Sequence, residues 1–360
     1  SCVGADATGT SIITSYELIN LFHLLKPINS TTNVKKPTVI NASWGYQAAF
    51  SSSSTVNYKF RGTTGSFTGN ASVTNQVTAM KDGLNNQVVG AYRSWSSSSR
   101  SSSTDTAAFE TFFNVAGIHN VAAAGNNNQR LGIGSQDVDR LNYMTDAFYS
   151  TTDPRSEFPS GTVPCNHRDW MIPQGAGFSA LVDPEFHPTI CVGAMDDTVN
   201  SDLSERKASY SNNGPGIDVW APADETLAAG TNGATGYTDY QRRDNPLFYD
   251  ARFSGTSAAA PVVAGLVALY LEGNPTATQR QVQDFIKSKG SVTVADALYQ
   301  DQYTGAGTTT YWTGSYNLRG AERRILRDLS ASSVKPALKG GVSSNDNLKI
   351  KGVNLSIKHK

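Results

Sequence analysis

The stretch Phe253–Pro261, FSGTSAAAP, places a serine where strand-like sequence gives way to a long apolar helix. Gly255 permits a tight turn, and Ser257 opens a helix whose N-terminal dipole favours developing negative charge. Small residues at Ala258–Ala260 let that helix approach a sheet closely. This is the setting of a nucleophile for acyl transfer, which also needs a general base, a group to orient the base, and donors for the oxyanion. Taken alone, Gly-Thr-Ser reads more simply as a helix cap. VAAAGNNN at Val121–Asn128 changes that reading. An asparagine just past a buried strand and a glycine can aim its amide at an oxyanion, so Asn126 Nδ2 and the Ser257 N–H form a candidate pair of donors. The plain alternative for Asn126 is a turn asparagine in the left-handed conformation.

The elements that must hold these residues are legible around them. Ile12, Ile13, Tyr16, Ile19, Phe22 and Leu25 recur at helical spacing, and Pro27 closes the run. PTVINAS at 37–43 has the look of a short buried strand. Helical pattern returns at Asp105, with Phe109, Phe112, Phe113 and Ala116 on one face and Gly117 as a stop. VAAAGN reads as a strand entering a glycine turn, and TICVGA and IDVWAP are two further strand candidates. Ser257–Glu272 is a strongly apolar helix ended by Gly273-Asn274-Pro275. The next helix carries a capping-box pattern at Thr278 and Gln281. Strands alternate with helices, which predicts an α/β fold with a mostly parallel sheet between helices. Two long polar stretches, about 46–104 and 127–185, interrupt that order as insertions. The core pattern spans residues 1–295. Residues 296–360 form a C-terminal extension whose basic tail ends in the alternating Val353, Leu355, Ile357, a strand in need of a sheet edge or else a solvated tail.

Lysine plus arginine equal aspartate plus glutamate at 30 each, so nucleic acid and anionic membranes are not expected partners. No apolar run reaches the length of a membrane span. Cys2, Cys165 and Cys191 allow one disulfide at most, show no CxxC spacing, and read as buried or incidental thiols. The low charge content of 17% and the abundance of Ser, Thr, Asn and Gly suit an extracellular or particle-associated protein. Because the sequence begins Ser1-Cys2, the chain is expected to be processed or a piece of something longer.

VINASWG, VAAAGNNN and FSGTSAAAP, in that order, resemble the subtilisin-like serine peptidases (subtilases), and AAGNNN is similar to the proteinase K-like members. The resemblance extends through TICVGAMDDT, ERKASYSNNGPGIDVWAPA and GTSAAAPVVAGLVALYL. It implies the subtilisin-like three-layer fold, Ser257 as nucleophile and Asn126 as oxyanion-hole side chain. It also implies Ser43-Trp44-Gly45 and Ala123-Ala124-Gly125 as the two edges between which substrate lies, forming the S1 pocket. Trp44 on that edge is expected to restrict the P1 side chain or stack on it. By the same resemblance the carbonyls of Pro188 and Ile190, with the Asp218 carboxylate, would hold a structural calcium ion; no cofactor is expected for the chemistry. Ala258 stands where the family often has Met, and Pro261-Val262-Val263 where Pro-His-Val is usual.

The larger departure is the base. Subtilases run Asp, His, Ser, with the histidine in His-Gly-Thr, and none of the five histidines here precedes a glycine. His23 falls in the first helix, His119 and His187 in or beside core strands, His167 in the second insertion and His359 in the tail. Asp6 in GADATG has no apolar strand before it. The expected partner is therefore an N-terminal segment of the same precursor that carries the Asp and His and folds into the same sheet, with a polypeptide as substrate. The alternative is a subtilase fold kept as a structural component of a larger assembly, such as a virion or tail, with activity absent or limited to self-maturation. A sedolisin-type carboxyl peptidase shares the fold and Gly-Thr-Ser but usually has Asp where this chain has Asn126.

Overall fold

The computed structural model describes residues 9–44, 55–60, 62–68, 115–132, 142–145, 162–164, 168, 187–196, 206–224, 226–230, 238–241, 249–291, 318–322, 324–326, 348–350 and 353–355. Helix α1 (Gly9–Leu25) matches the first helical period. The helix expected from Asp105 lies outside the described residues up to position 114, although Gly117 does turn the chain, at φ 84°.

Six strands form the central sheet, in the order β1 (Thr38–Ala42), β4 (Ile118–Ala123), β7 (Thr189–Met195), β8 (Val219–Pro222), β13 (Ile325–Leu326), β12 (Gly290–Ser291). All pairs are parallel except β12 with β13. Strands β4 and β7 are buried along their whole length, as expected of parallel strands covered on both faces. Helix α2 (Thr256–Gly273) packs on β1, β4, β7 and β8, burying Ala258, Ala259, Ala260, Val263, Leu266, Val267 and Leu271. Helix α3 (Gln279–Lys289) leans on α2, and Thr278 and Gln281 make the reciprocal capping box.

The sheet runs past the boundary expected at residue 295. Strand β13 pairs with β8, Trp220 donates from its backbone N to Arg324 O at 2.8 Å, and its indole Nε1 donates to Glu322 O at 2.9 Å. Leu318, Arg319 and Ile325 are buried. This strand is two residues long, too short to show a period, so only its partners reveal it.

The two polar insertions meet. Strands β2 (Thr55–Phe60) and β3 (Thr63–Thr68) from the first join β5 (Tyr143–Thr145) and β6 (Thr162–Pro164) from the second in one antiparallel sheet, ordered β3-β2-β5-β6. A third sheet contains β9 (Thr226–Gly230), β10 (Thr238–Gln241) and β11 (Tyr249–Phe253), and β11 leads directly to the Gly255 turn. In the tail, β15 (Val353–Leu355) pairs with β14 (Leu348–Ile350), so the alternating end of the chain finds its edge locally.

Candidate active site

Parallel strands leave their carboxyl ends on one side of a sheet, where loops can converge. Because β1 and β4 pair with Ala42 opposite Ala122, Ser43-Trp44 and Ala124-Gly125-Asn126 emerge side by side. Gly45 lies outside the described residues. The start of α2 reaches the same place. Gly255 there has φ 111°, a backbone that L-residues rarely adopt, and a Cβ on it would stand 3.1 Å from Asn126 Nδ2.

Thr256 ties the two motifs together. Asn126 Oδ1 accepts from Thr256 N at 2.9 Å and from Thr256 Oγ1 at 2.8 Å, while Gly125 N donates to Thr256 Oγ1 at 3.0 Å. With its oxygen committed, the exposed Asn126 side chain keeps Nδ2 without a hydrogen bond among the described residues. Ser257 is the second residue of α2, so its N–H has no intrahelical acceptor. Among the described residues the two expected oxyanion donors are thus both unengaged, and both are held to one framework.

Ser257 is also tied to the β1 edge, in both directions. Its Oγ donates to Ser43 O at 3.2 Å, and Ser43 Oγ donates to Ser257 O at 3.0 Å. The second bond depends on Pro261. A helix would offer Ser257 O the N–H of the residue four positions on, and proline has none, which leaves that carbonyl for Ser43. No described histidine bonds Ser257. His23 Nδ1 pairs with Thr38 Oγ1 at 2.8 Å, and neither ring nitrogen of His119 has a hydrogen bond among the described residues. Burial, with the charge of His23 adding to it, pushes His119 down to about 4. His187 stands two residues before β7, with its carbonyl accepting from Gln283 Nε2 at 2.8 Å. His167, His359, Asp6, Cys2 and Cys165 lie outside the described residues. Cys191 is free and buried in β7, and burial pushes its thiol up to about 12.

Several supporting residues lie in ERKASYSNNGPGIDVWAPA, to which the sequence alone assigns no role. Tyr210 Oη accepts from Gly255 N at 2.9 Å and donates to Asp224 Oδ1, while Tyr210 O accepts from Asn128 N at 2.7 Å. Burial and the Asp224 carboxylate push the Tyr210 phenol well above its usual range, so it stays protonated. Asn212 Oδ1 accepts from Asn127 N and Gln129 N, and its Nδ2 donates to Ala124 O at 2.7 Å. It lies so close that a Cβ on Gly125 would meet Asn212 Nδ2 at 2.6 Å. The fully buried Lys207 ammonium donates to Ser211 O at 2.7 Å, Ala208 O at 2.9 Å and Asn128 Oδ1 at 3.2 Å. The string SNN at 211–213 was the available sign, since adjacent asparagines often bond loop backbone. On the other edge, Trp44 lies against Tyr16, ring centroids 6.0 Å apart at 59°.

The residues expected to hold calcium present a different set of partners. Asp218 is 4% exposed, and its Oδ2 accepts from Cys191 N at 2.8 Å and lies 2.9 Å from Arg168 Nη1. Its Oδ1 lies 3.0 Å from Lys287 Nζ. Arg168 also donates to Gly216 O at 2.9 Å and to Thr189 O, between Pro188 and Ile190. Burial pulls the Asp218 carboxyl up, but Arg168, Lys287 and the Cys191 N–H outweigh it and hold it at about 2. Calcium takes six to eight oxygens at about 2.3–2.6 Å, and a carboxylate must face it. Here both carboxylate oxygens face cations, and the donor set so arranged does not fit the ion.

A family model described as "Subtilase family" matches residues 4–307. The chain belongs to the subtilase family. Among its relatives, subtilisin amylosacchariticus of Bacillus subtilis subsp. amylosacchariticus is 39% identical over 118 residues, 31% of this chain and 25% of that protein. An extracellular protease of Xanthomonas campestris pv. campestris is 42% identical over 85 residues, 23% of this chain and 13% of that protein. This subtilase thus spans about a quarter or less of the length of these relatives. A crystal structure of a cold-adapted subtilisin-like serine proteinase aligns with 92% of this chain and 64% of that chain, at 17% identity and a TM-score of 0.38.

Proposed function

We propose that this subtilase chain is the nucleophile-bearing part of a serine endopeptidase whose Asp and His are contributed by another segment of polypeptide. The carrying observation is the Thr256 link, which fixes Asn126 to the nucleophile turn through its oxygen and leaves its amide nitrogen to face a substrate. In the assembled site Ser257 Oγ exchanges its bond to Ser43 O for one to the incoming imidazole. It attacks the scissile carbonyl as its proton passes to that base. Asn126 Nδ2 and Ser257 N–H receive the oxyanion, the amine leaves with the proton, and water then releases the acyl group from Ser257. Substrate lies along Ser43-Trp44-Gly45 and Ala123-Ala124-Gly125, with the P1 side chain beside Trp44.

Two features support a segment added beside β1. That strand is the edge of the sheet among the described residues. Helix α1, next to it in sequence, exposes Leu18, Leu21, Phe22, Leu24 and Leu25 by half or more. Apolar side chains clustered on one helix mark a surface meant to be covered. The names of the relatives, subtilisin and extracellular protease, favour an extracellular or particle-associated setting. A second reading, a subtilase fold used as an assembly component such as part of a virion or tail, is favoured by the absence of any histidine on Ser257 among the described residues. A fluorophosphonate probe on the full-length protein decides between them. Covalent label on Ser257, lost in Ser257→Ala, is the expected result; an unlabelled Ser257 in folded protein supports the structural role.

A further inference from the structure

Arg168, Asp218 and Lys287 come from three separate parts of the chain and meet in the core. Arg168 belongs to the second polar insertion and is fastened there by its own N–H to Gly132 O at 3.0 Å. Asp218 precedes β8, and Lys287 stands in the last turn of α3. Arg168 and Asp218 are almost wholly buried, and Lys287 is 28% exposed. A buried carboxylate needs countercharge and hydrogen bonds to all its lone pairs. Asp218 receives both from Arg168, Lys287 and the Cys191 N–H.

We propose that the Arg168 guanidinium, together with the Lys287 ammonium, fills the position for which a subtilase of this type would use calcium, making the Asp218 site a metal-free clamp. Two unit charges replace one divalent charge. The planar guanidinium sets Nη1 2.9 Å from both Asp218 Oδ2 and Gly216 O and donates from Nη2 to Thr189 O, much as one ion would gather the same oxygens. The clamp joins β7, the approach to β8 and α3, and the second insertion serves it by delivering Arg168. A calcium ion entering here would have to displace a buried guanidinium and face Lys287, so calcium affinity at Asp218 is lost.

The test is thermal unfolding of the full-length protein in millimolar calcium chloride and in excess EGTA, since a ligand that binds only the folded state raises Tm. The quantity read is the rise in Tm on adding calcium, compared between wild type and Asp218→Asn. Equal rises, including none in either, are expected. A rise in wild type that Asp218→Asn abolishes overturns the proposal. If Asp218→Asn does not fold, Arg168→Met replaces it, because removing the guanidinium reopens the oxygens. That variant is expected to start from a lower Tm in EGTA and to gain several degrees from calcium that wild type does not. A calcium response no larger than wild type's overturns the proposal. Neither arm uses activity, so both stand apart from the peptidase reading.

Discussion

Asn126 and Ser257 share one intermediary, and the small groups around it set the geometry. Thr256 donates both its N–H and its hydroxyl to the oxygen of Asn126, so Asn126→Ala removes an oxyanion donor and also two of the bonds that hold the threonine. In the assembled enzyme we expect kcat to fall about 10²- to 10³-fold, measured on a peptide substrate, with fluorophosphonate labelling slowed in parallel. Tyr210 acts at one remove, holding Gly255 N and, through its carbonyl, Asn128. Tyr210→Phe should lower kcat about tenfold with KM little changed, because the turn loses its acceptor while the substrate edges stay. Asp224→Asn keeps an acceptor for the phenol and should remain near wild type, whereas a purely steric role for Tyr210 would leave Tyr210→Phe near wild type as well. Ser43→Ala leaves the Ser257 carbonyl unpaired, as Pro261 cannot supply an N–H. Its unfolding free energy should drop by about 1 kcal/mol in urea titrations.

Among the elements, β4 carries a histidine where a core strand would ordinarily place an aliphatic residue. His119 is 2% exposed, its ring nitrogens are unbonded among the described residues, and its pKa falls to about 4 from 6.5. The unfolded chain therefore binds the extra proton between those values. Stability attributable to His119 is complete above about pH 6.5, declines as pH falls, and is fully lost below about pH 4, on the order of 3 kcal/mol in all. Urea midpoints across this range should show the decline, and His119→Leu should flatten it. The same strand is easy to find from sequence, as are β1, β7, β8, α2 and α3, because each has enough apolar residues in one period to declare its type. The capping box of α3 is legible for the same reason, since its two bonds lie within four residues.

The molecule as a whole depends on contacts between stretches far apart in sequence. β13, beyond the boundary expected at 295, pairs with β8, and the carbonyls of Glu322 and Arg324 just before it accept from both nitrogens of Trp220, which is completely buried. Ending the chain at residue 317 should therefore red-shift the tryptophan emission and broaden the unfolding transition, whereas an independent extension could be removed without either change. The β1 edge and the exposed leucines of α1 also concern the whole molecule. Among the described residues they form an edge strand and an apolar surface, which is where the segment proposed to carry the base would add.

The order of the core elements, the family, and the three motifs that carry Ser257, Asn126 and the Ser43-Trp44 edge are all readable along the chain. Those depend on local spacing: apolar periods, a glycine that permits positive φ, a serine at a helix start. How they are joined is visible only in the folded molecule. Thr256 to Asn126 spans 130 positions, and Ser43 to Ser257 spans 214. Tyr210, Asn212 and Lys207 enter through loops with no period at all. Folding also settles what faces Asp218. The family resemblance implies calcium at Pro188, Ile190 and Asp218, but the cation nearest them is a side chain from position 168, delivered by an insertion whose own sequence reads as polar filler. A hydrogen bond or ion pair needs only the meeting of two atoms, and nothing in a linear pattern records which distant residue will supply the second one.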